Sequence, residues 1–318
     1  MENKTPLLSI CIPTYNRKKY LQECLDSIVN QDGFNEKEIE IVISDNASQD
    51  NTTEVIKEYQ SKYKNIKYFR NNENIGAIKN ILNLPNLTNG EYIWFLSDDD
   101  MLSNIGIKNI IETIKYQKSD FILSNFFGFW NGEKINFEKI NREGKTINVI
   151  GMDNYFDFLA ETKYNITPYI MLLSIFCFKK DLYTKNLNQL LKDNGDDYMN
   201  LINNDNFLHS RIIYLPFGNE QKISIIEKDL VLCRGNNISW NLNFKVCRDL
   251  SDLINDLNKK YKINKKAYKK MKSVYYYGIF SYIVIAHIKR YLPSFLYNFL
   301  VYLGRNVMKF LKKLKNIK

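Results

Sequence analysis

Long uninterrupted apolar runs are missing from this sequence. VYYYGIFSYIVIAHI (274 to 288) and YLPSFLYNFLVYLG (291 to 304) stop at Lys289, Arg290 and Arg305. Each falls short of the ~20 residues that a membrane-spanning helix needs. MENKTPLLSICIP at the N-terminus has no basic segment leading into a long apolar core, so no secretory signal is read there and the cytoplasm is the expected compartment. Cysteine is scarce: five residues, at 11, 24, 177, 233 and 247, odd in number and without CxxC or Cys/His spacing. That excludes a zinc module and a disulfide framework. Histidine is scarcer still, with two residues. Acidic residues stop at Asp256, whereas residues 259 to 318 hold 16 Lys and Arg. Residues 1 to 258 therefore carry 29 basic against 35 acidic side chains, a net of −6, and the overall +10 belongs to the tail. A nucleic-acid groove binder needs its positive charge beside its recognition surface, so nucleic acid is not an expected partner.

What is present is an alternation of strand and helix patterns. LLSICI (7 to 12) and IEIVIS (39 to 44) read as strands. Between them Tyr20, Leu21, Cys24, Leu25, Ile28 and Val29 share one face of an amphipathic helix. The alternation continues with a helix near 52 to 63, a strand at 66 to 70, a helix near 76 to 83, the strand YIWFLS (92 to 97), a helix near 105 to 116 and the strand DFILSN (120 to 125). Such an order predicts a mainly parallel α/β sheet flanked by helices. Polar residues gather after the strands: Thr14, Tyr15 and Asn16 after the first, Asp45 and Asn46 after the second, Asn71 and Asn72 after the third, Asp98, Asp99 and Asp100 after the fourth. Open parallel sheets bind ligands beyond those carboxyl ends.

Three adjacent carboxylates raise one another's cost of ionisation. A solvated turn is one reading of Asp98 to Asp100, since Asp is common in turns. The preceding Trp94, Phe95 and Leu96 favour another: a cluster completed by Mg²⁺ or Mn²⁺ holding a diphosphate. ISDNASQDNT (43 to 52) is a loop in which Asp50 or Asn51 is expected to cap the next helix. Asp45, directly after the strand, can accept hydrogen bonds from a base or a ribose.

PTYNR (13 to 17), SDNASQD (44 to 50), NENIGAIKN (72 to 80) and YIWFLSDDD (92 to 100) together resemble family 2 glycosyltransferases of the GT-A fold, over about residues 7 to 215. The resemblance implies that Pro13, Thr14, Tyr15 and Asn16 form the first nucleotide-contacting loop and that Asp45 reads the base. Asn74, Gly76 and Asn80 match an N-x-G-x-x-x-N segment lining the pocket, and Asp98 and Asp99 resemble the DxD-type pair that meets ribose and metal-bound diphosphate. Ser97 stands where the family often has Asp, which makes Asp99 the first-choice metal ligand, with Asp100 beside it. SIFCFKKDLY (174 to 183) is similar to the family's small and apolar segment before a basic pair. NNDNFLHSRII (203 to 213) resembles its E-D-x-x-x-x-x-R helix, which puts Asp205 at the catalytic-base position and Arg211 further along, with Asn204 replacing the usual Glu. His209, one helical turn from Asp205, is a second candidate base, and a hydrogen-bonded core histidine is the plain alternative. Asp196 and Asp197 are weaker competitors. RGNNISW (234 to 240) resembles a loop that closes over the diphosphate, with Arg234 as a phosphate ligand or an ordinary turn residue.

The expected organisation is a GT-A domain over 1–250, with a nucleotide-binding half (1–125) and an acceptor-binding half (126–250), then a basic, aromatic-rich helical region over 251–318. That region suits either packing on the core or lying on an anionic membrane surface at the cytoplasmic face of the plasma membrane. The implied partners are a nucleotide-sugar donor and a glycan or lipid-linked glycan acceptor. A nucleotidyltransferase would need a Gly-rich loop after the first strand, and PTYNRKK has no glycine. A haloacid-dehalogenase-type phosphatase would need a nucleophilic Asp there. A non-catalytic nucleotide-sugar-binding or scaffold protein stays open.

Overall fold

The computed structural model describes residues 5–31, 33–130, 135, 140, 143–161, 172–195, 208–214, 220–235 and 244–272. β1 (Leu8–Thr14), α1 (Lys18–Val29), β2 (Ile39–Asp45), α2 (Thr52–Lys62), β3 (Ile66–Arg70), α3 (Ala77–Asn83) and β4 (Tyr92–Phe95) follow the alternation read from the sequence. Then come β5 (Met101–Leu102), α4 (Gly106–Glu112), β6 (Phe121–Trp130), β7 (Thr146–Ile150), α5 (Met152–Glu161), β8 (Phe176–Lys179), α6 (Lys180–Asn194), α7 (Leu208–Tyr214), β9 (Lys222–Gly235) and α8 (Phe244–Tyr261).

These strands form one nine-stranded sheet in the order β3-β2-β1-β4-β8-β6-β9-β5, with β7 also on β9. The first four are parallel. Every residue of β2 and β4 is buried, as expected of strands covered on both faces. Beyond β4 the expectation of a mainly parallel sheet is corrected. β8 runs antiparallel between β4 and β6, and β9 is parallel to β6 but antiparallel to β5 and β7. The physical reason is that an apolar run such as Phe121–Trp130 is buried alike in either direction, so its pattern does not report its neighbours.

The amino end of the parallel half is closed by Glu40. Its carboxylate accepts hydrogen bonds from the Ser9 hydroxyl and from the Asn89 and Gly90 amides, and the Lys67 ammonium lies 2.5 Å away. A Cβ on Gly90 would sit 2.4 Å from Ser9 Oγ and 2.7 Å from its nitrogen, so β4 enters the sheet against β1 only with glycine there. In the region expected to form the C-terminal unit, Leu253, Ile254, Leu257, Tyr261, Ile263, Ala267 and Met271 belong to the same core cluster as β1 and β4. Both apolar aromatic stretches of the tail, in 273–318, lie outside the described residues. Among the described residues no helix is long and apolar enough to cross a membrane.

Candidate active site

The carboxyl ends of β2, β1 and β4 stand side by side. Thr14, the last residue of β1, is in register with Asp45, the last of β2. Its hydroxyl donates to Asp98 Oδ2 at 2.8 Å, and Leu96 N–H donates to the Cys11 carbonyl, which carries the turn after β4 alongside β1. One threonine, bonded to Asp98 and in register with Asp45, thus stands between two carboxylates far apart in the chain. Pro13 lies within β1 opposite Ser44, and Tyr15, two residues on, is 40% exposed.

The three aspartates differ in what holds them. Asp98 is buried, accepting from Thr14 and from Arg17 Nη1 at 2.7 Å. Burial pushes its carboxyl up to about 6, against the pull of Arg17, with Asp99 adding to the rise. Asp100 is buried too: Oδ2 accepts from Ser174 Oγ at 2.6 Å and Oδ1 from the Arg234 backbone N–H at 2.9 Å. Burial, then the neighbouring Asp99, raises it to about 7. Asp100 in this arrangement anchors the turn, tying it to the start of β8 and the end of β9. Asp99 is buried as well, with Arg17 Nη1 3.5 Å from its Oδ2.

The second loop is equally built. Asp45 accepts from Ser48 N–H, Tyr68 OH and Arg70 Nη1, at 2.9, 2.8 and 2.8 Å. Asn16, in the left-handed region at φ 53°, donates its N–H to Ser48 Oγ and accepts Gln49 N–H on its side chain. Asn46 donates to Asn74 and accepts from Asn71 and the Ile75 N–H. Asn80 is buried, accepting from Ser44 Oγ and Asn71 and donating to the Ser44 carbonyl. It therefore pins α3 to β2. Gly76 has φ 87° with open space around a notional Cβ, so the backbone rather than room requires glycine. Of the two residues expected to cap α2, Asn51 makes no side-chain cap bond, whereas the Asp50 carboxylate accepts from the backbone and the hydroxyl of Thr52 at the helix start. It also accepts the Lys18 N–H at 2.9 Å, which ties the two loops together.

Arg234 is held on all sides. Its guanidinium lies 4.9 Å from the Tyr20 ring centroid and 4.6 Å from that of Phe129, pairs with Glu23, and donates through Nε to the Asp99 carbonyl. The rest of the loop, 236–240, is outside the described residues, as are Asp205, Asp196 and Asp197. His209 is on α7, where Arg211 pairs with Asp256 of α8. A separate cleft of about 350 Å³, lined by Glu23, Asp26, Asn30, Gln31, Asn104 and other residues, runs along α1 rather than over the strand ends. Arg17 and Ser174 are the residues that sequence reasoning gave no role. A basic residue immediately after PTYN and three uncompensated carboxylates were the signal for Arg17. Ser174 had none beyond its place in SIFCF.

Residues 9–182 match the model of glycosyl transferase family 2. This chain belongs to glycosyl transferase family 2. The abequosyltransferase RfbV of Salmonella typhimurium is 31% identical over 252 residues, 78% of this chain and 72% of the relative. A Campylobacter jejuni GalNAc(5)-diNAcBac-PP-undecaprenol beta-1,3-glucosyltransferase is 37% identical over 108 residues, 34% of each chain. Among solved structures, Staphylococcus aureus TarS 1–349 in complex with UDP-GlcNAc superposes with a TM-score of 0.58 at 19% identity, covering 90% of this chain and 76% of that one. The fold of the family 2 enzymes is thus this chain's fold, and the chain is a glycosyltransferase.

Three adjacent carboxylates have the hard-oxygen chemistry that Mg²⁺ and Mn²⁺ prefer. Among the described residues no group of three or more His, Cys, Asp or Glu could hold a metal ion. Both oxygens of Asp98 and of Asp100 already accept protein hydrogen bonds. A divalent cation at this turn would therefore have to draw most of its ligands from donor phosphates, as Mg²⁺ held by one or two carboxylates does.

Proposed function

We propose that this glycosyltransferase moves a sugar from a nucleotide-diphosphate donor to a hydroxyl of a glycan carried on a lipid, with inversion, in the synthesis of a surface polysaccharide such as capsule or O-antigen. The observation that carries the donor assignment is the Thr14 hydroxyl bond to Asp98, because it sets the acidic turn beside Asp45 at adjacent strand ends. Asp45, oriented by Tyr68 and Arg70, accepts hydrogen bonds from the base. Tyr15 and Asn16 flank it, and the segment of Asn74, Gly76 and Asn80 shapes the wall. Asp99 receives the diphosphate side, and Mg²⁺ or Mn²⁺ bound there would supply positive charge to the leaving group.

Asp205, or His209 four residues on, takes the acceptor's proton. The acceptor oxygen then forms its bond to the anomeric carbon from the face opposite the departing nucleoside diphosphate. The lipid-linked acceptor is supported by the relative whose name contains PP-undecaprenol, and by the 16 Lys and Arg of residues 259–318, which suit an anionic membrane surface at its cytoplasmic side. The test is release of nucleoside diphosphate from a panel of UDP-, GDP- and dTDP-sugars, with Mn²⁺ and a lipid-linked glycan. At least one donor is expected to turn over with acceptor-dependent release. Binding of a donor without any release or transfer would favour a non-catalytic binding protein instead.

A further inference from the structure

The acidic turn already has a cation. Arg17 Nη1 lies 2.7 Å from Asp98 Oδ1 and 3.5 Å from Asp99 Oδ2, so one nitrogen spans the two carboxylates expected to meet the diphosphate and its metal. The side chain is 22% exposed, enough for solvent and ligand to reach it. Arg17 is the residue before α1 and makes no capping bond with its side chain, so helix formation does not fix the guanidinium. The other nearby guanidinium is placed differently: Arg234 is stacked between Tyr20 and Phe129, paired with Glu23, and 6% exposed. Of the two, Arg17 is the one able to change partners.

We propose that Arg17 is an exchangeable counter-ion: it guards the Asp98 and Asp99 pair when the donor site is empty, and passes to the diphosphate when a nucleotide arrives. Two physical facts drive this. A guanidinium fork matches phosphate as well as carboxylate, so exchange between them is close to balanced. A divalent cation seated at Asp99 is repelled by a fixed positive charge a few ångströms away, at an effective dielectric that screens it only in part. The consequence is an order of binding. Divalent metal alone binds the turn weakly, and metal with nucleoside diphosphate binds tightly, because the phosphate both draws Arg17 off the carboxylates and adds ligands of its own. Arg17 is a specificity-determining residue for metal and nucleotide together. The inference rests on the acidic turn being the diphosphate site.

The experiment titrates Mn²⁺, followed by the electron paramagnetic resonance of the free ion, into the full chain without nucleotide. Arg17→Gln is expected to bind Mn²⁺ at least about tenfold more tightly than the native chain. Arg17→Lys, which keeps the charge, is expected to stay within about threefold of it, a spread allowed for the loss of the fork. In metal-free buffer, whichever of UDP and GDP the native chain binds is expected to bind Arg17→Gln about tenfold more weakly. Mn²⁺ affinity that is unchanged or weaker in Arg17→Gln overturns the proposal. If Mn²⁺ tightens but neither nucleotide binds the native chain, the counter-ion stands and the donor reading fails. Should Arg17→Gln not fold, the native chain decides: the Arg17 Nε resonance is expected to shift with Mg²⁺ and the nucleotide together, and not with Mg²⁺ alone. A resonance that moves with Mg²⁺ alone, or with neither, overturns it.

Discussion

Asp99→Asn is expected to lower sugar transfer by about 10²–10³-fold while leaving the fold intact, the range seen when one preorganised charge-stabilising group is removed. Beyond the Asp99 carboxylate's contact with Arg17, the turn is held by bonds to the neighbouring aspartates. Thr14 and Arg17 hold Asp98, Ser174 and the Arg234 amide hold Asp100, and Arg234 Nε bonds the backbone carbonyl of Asp99 rather than its side chain. An amide of the same shape keeps that framework and removes the charge. Asp99 also raises the carboxyls of Asp98 and Asp100, so its neutralisation relieves both. The melting temperature should therefore hold or rise. Steady-state transfer and a thermal melt on the same preparation check this, and transfer within a few-fold of native would remove Asp99 from the diphosphate site.

Asp100→Asn should have its main effect on stability, with a sign that depends on pH. A carboxyl in the unfolded chain titrates near 3.9. Burial raises Asp98 to about 6 and Asp100 to about 7 in the folded protein. A raised carboxyl contributes stability that is complete below the unfolded value and is lost as pH climbs through the folded one. The native chain in metal-free buffer should thus lose stability between about pH 4 and pH 7 from these two groups. In Asp100→Asn the amide oxygen can still accept the Arg234 N–H and the NH₂ can donate to Ser174, so the bonds survive without the charge. At pH 8 the variant should be more stable by roughly 1–3 kcal/mol, with the difference gone near pH 4. Melting curves at pH 4 to 8 measure it. Parallel curves for variant and native chain would mean that Asp100 is ionised without penalty, contrary to its burial.

The parallel half of the sheet was legible because β1, β2 and β4 are short buried runs ending in polar residues, and the strand-end rule then located Asp45 and the acidic turn. The other half was not. Phe121–Trp130 pairs with β8 and β9, which lie some 50 and 100 residues away in the chain, and no local pattern encodes that partnership or its direction. The same limit applies inside the site. Three adjacent Asp residues look alike in sequence, yet Asp98 answers to Thr14 and Arg17 and Asp100 to Ser174 and Arg234, all distant along the chain. Asn80, expected to line a pocket, makes two bonds to Ser44 that fasten α3 to β2 and accepts a third from Asn71. That distinction between shaping a site and touching a ligand appears only once neighbours are known.

The central claim is that a donor nucleotide lies across the ends of β2, β1 and β4 with Asp45 on its base. Calorimetric titration of UDP, GDP and dTDP into the native chain and into Asp45→Ala, each with Mn²⁺, tests it most directly. One nucleotide is expected to bind the native chain at one site and to bind Asp45→Ala at least about tenfold more weakly, the loss of one charge-assisted hydrogen bond. Binding of none of them, or equal binding by both proteins, would contradict it.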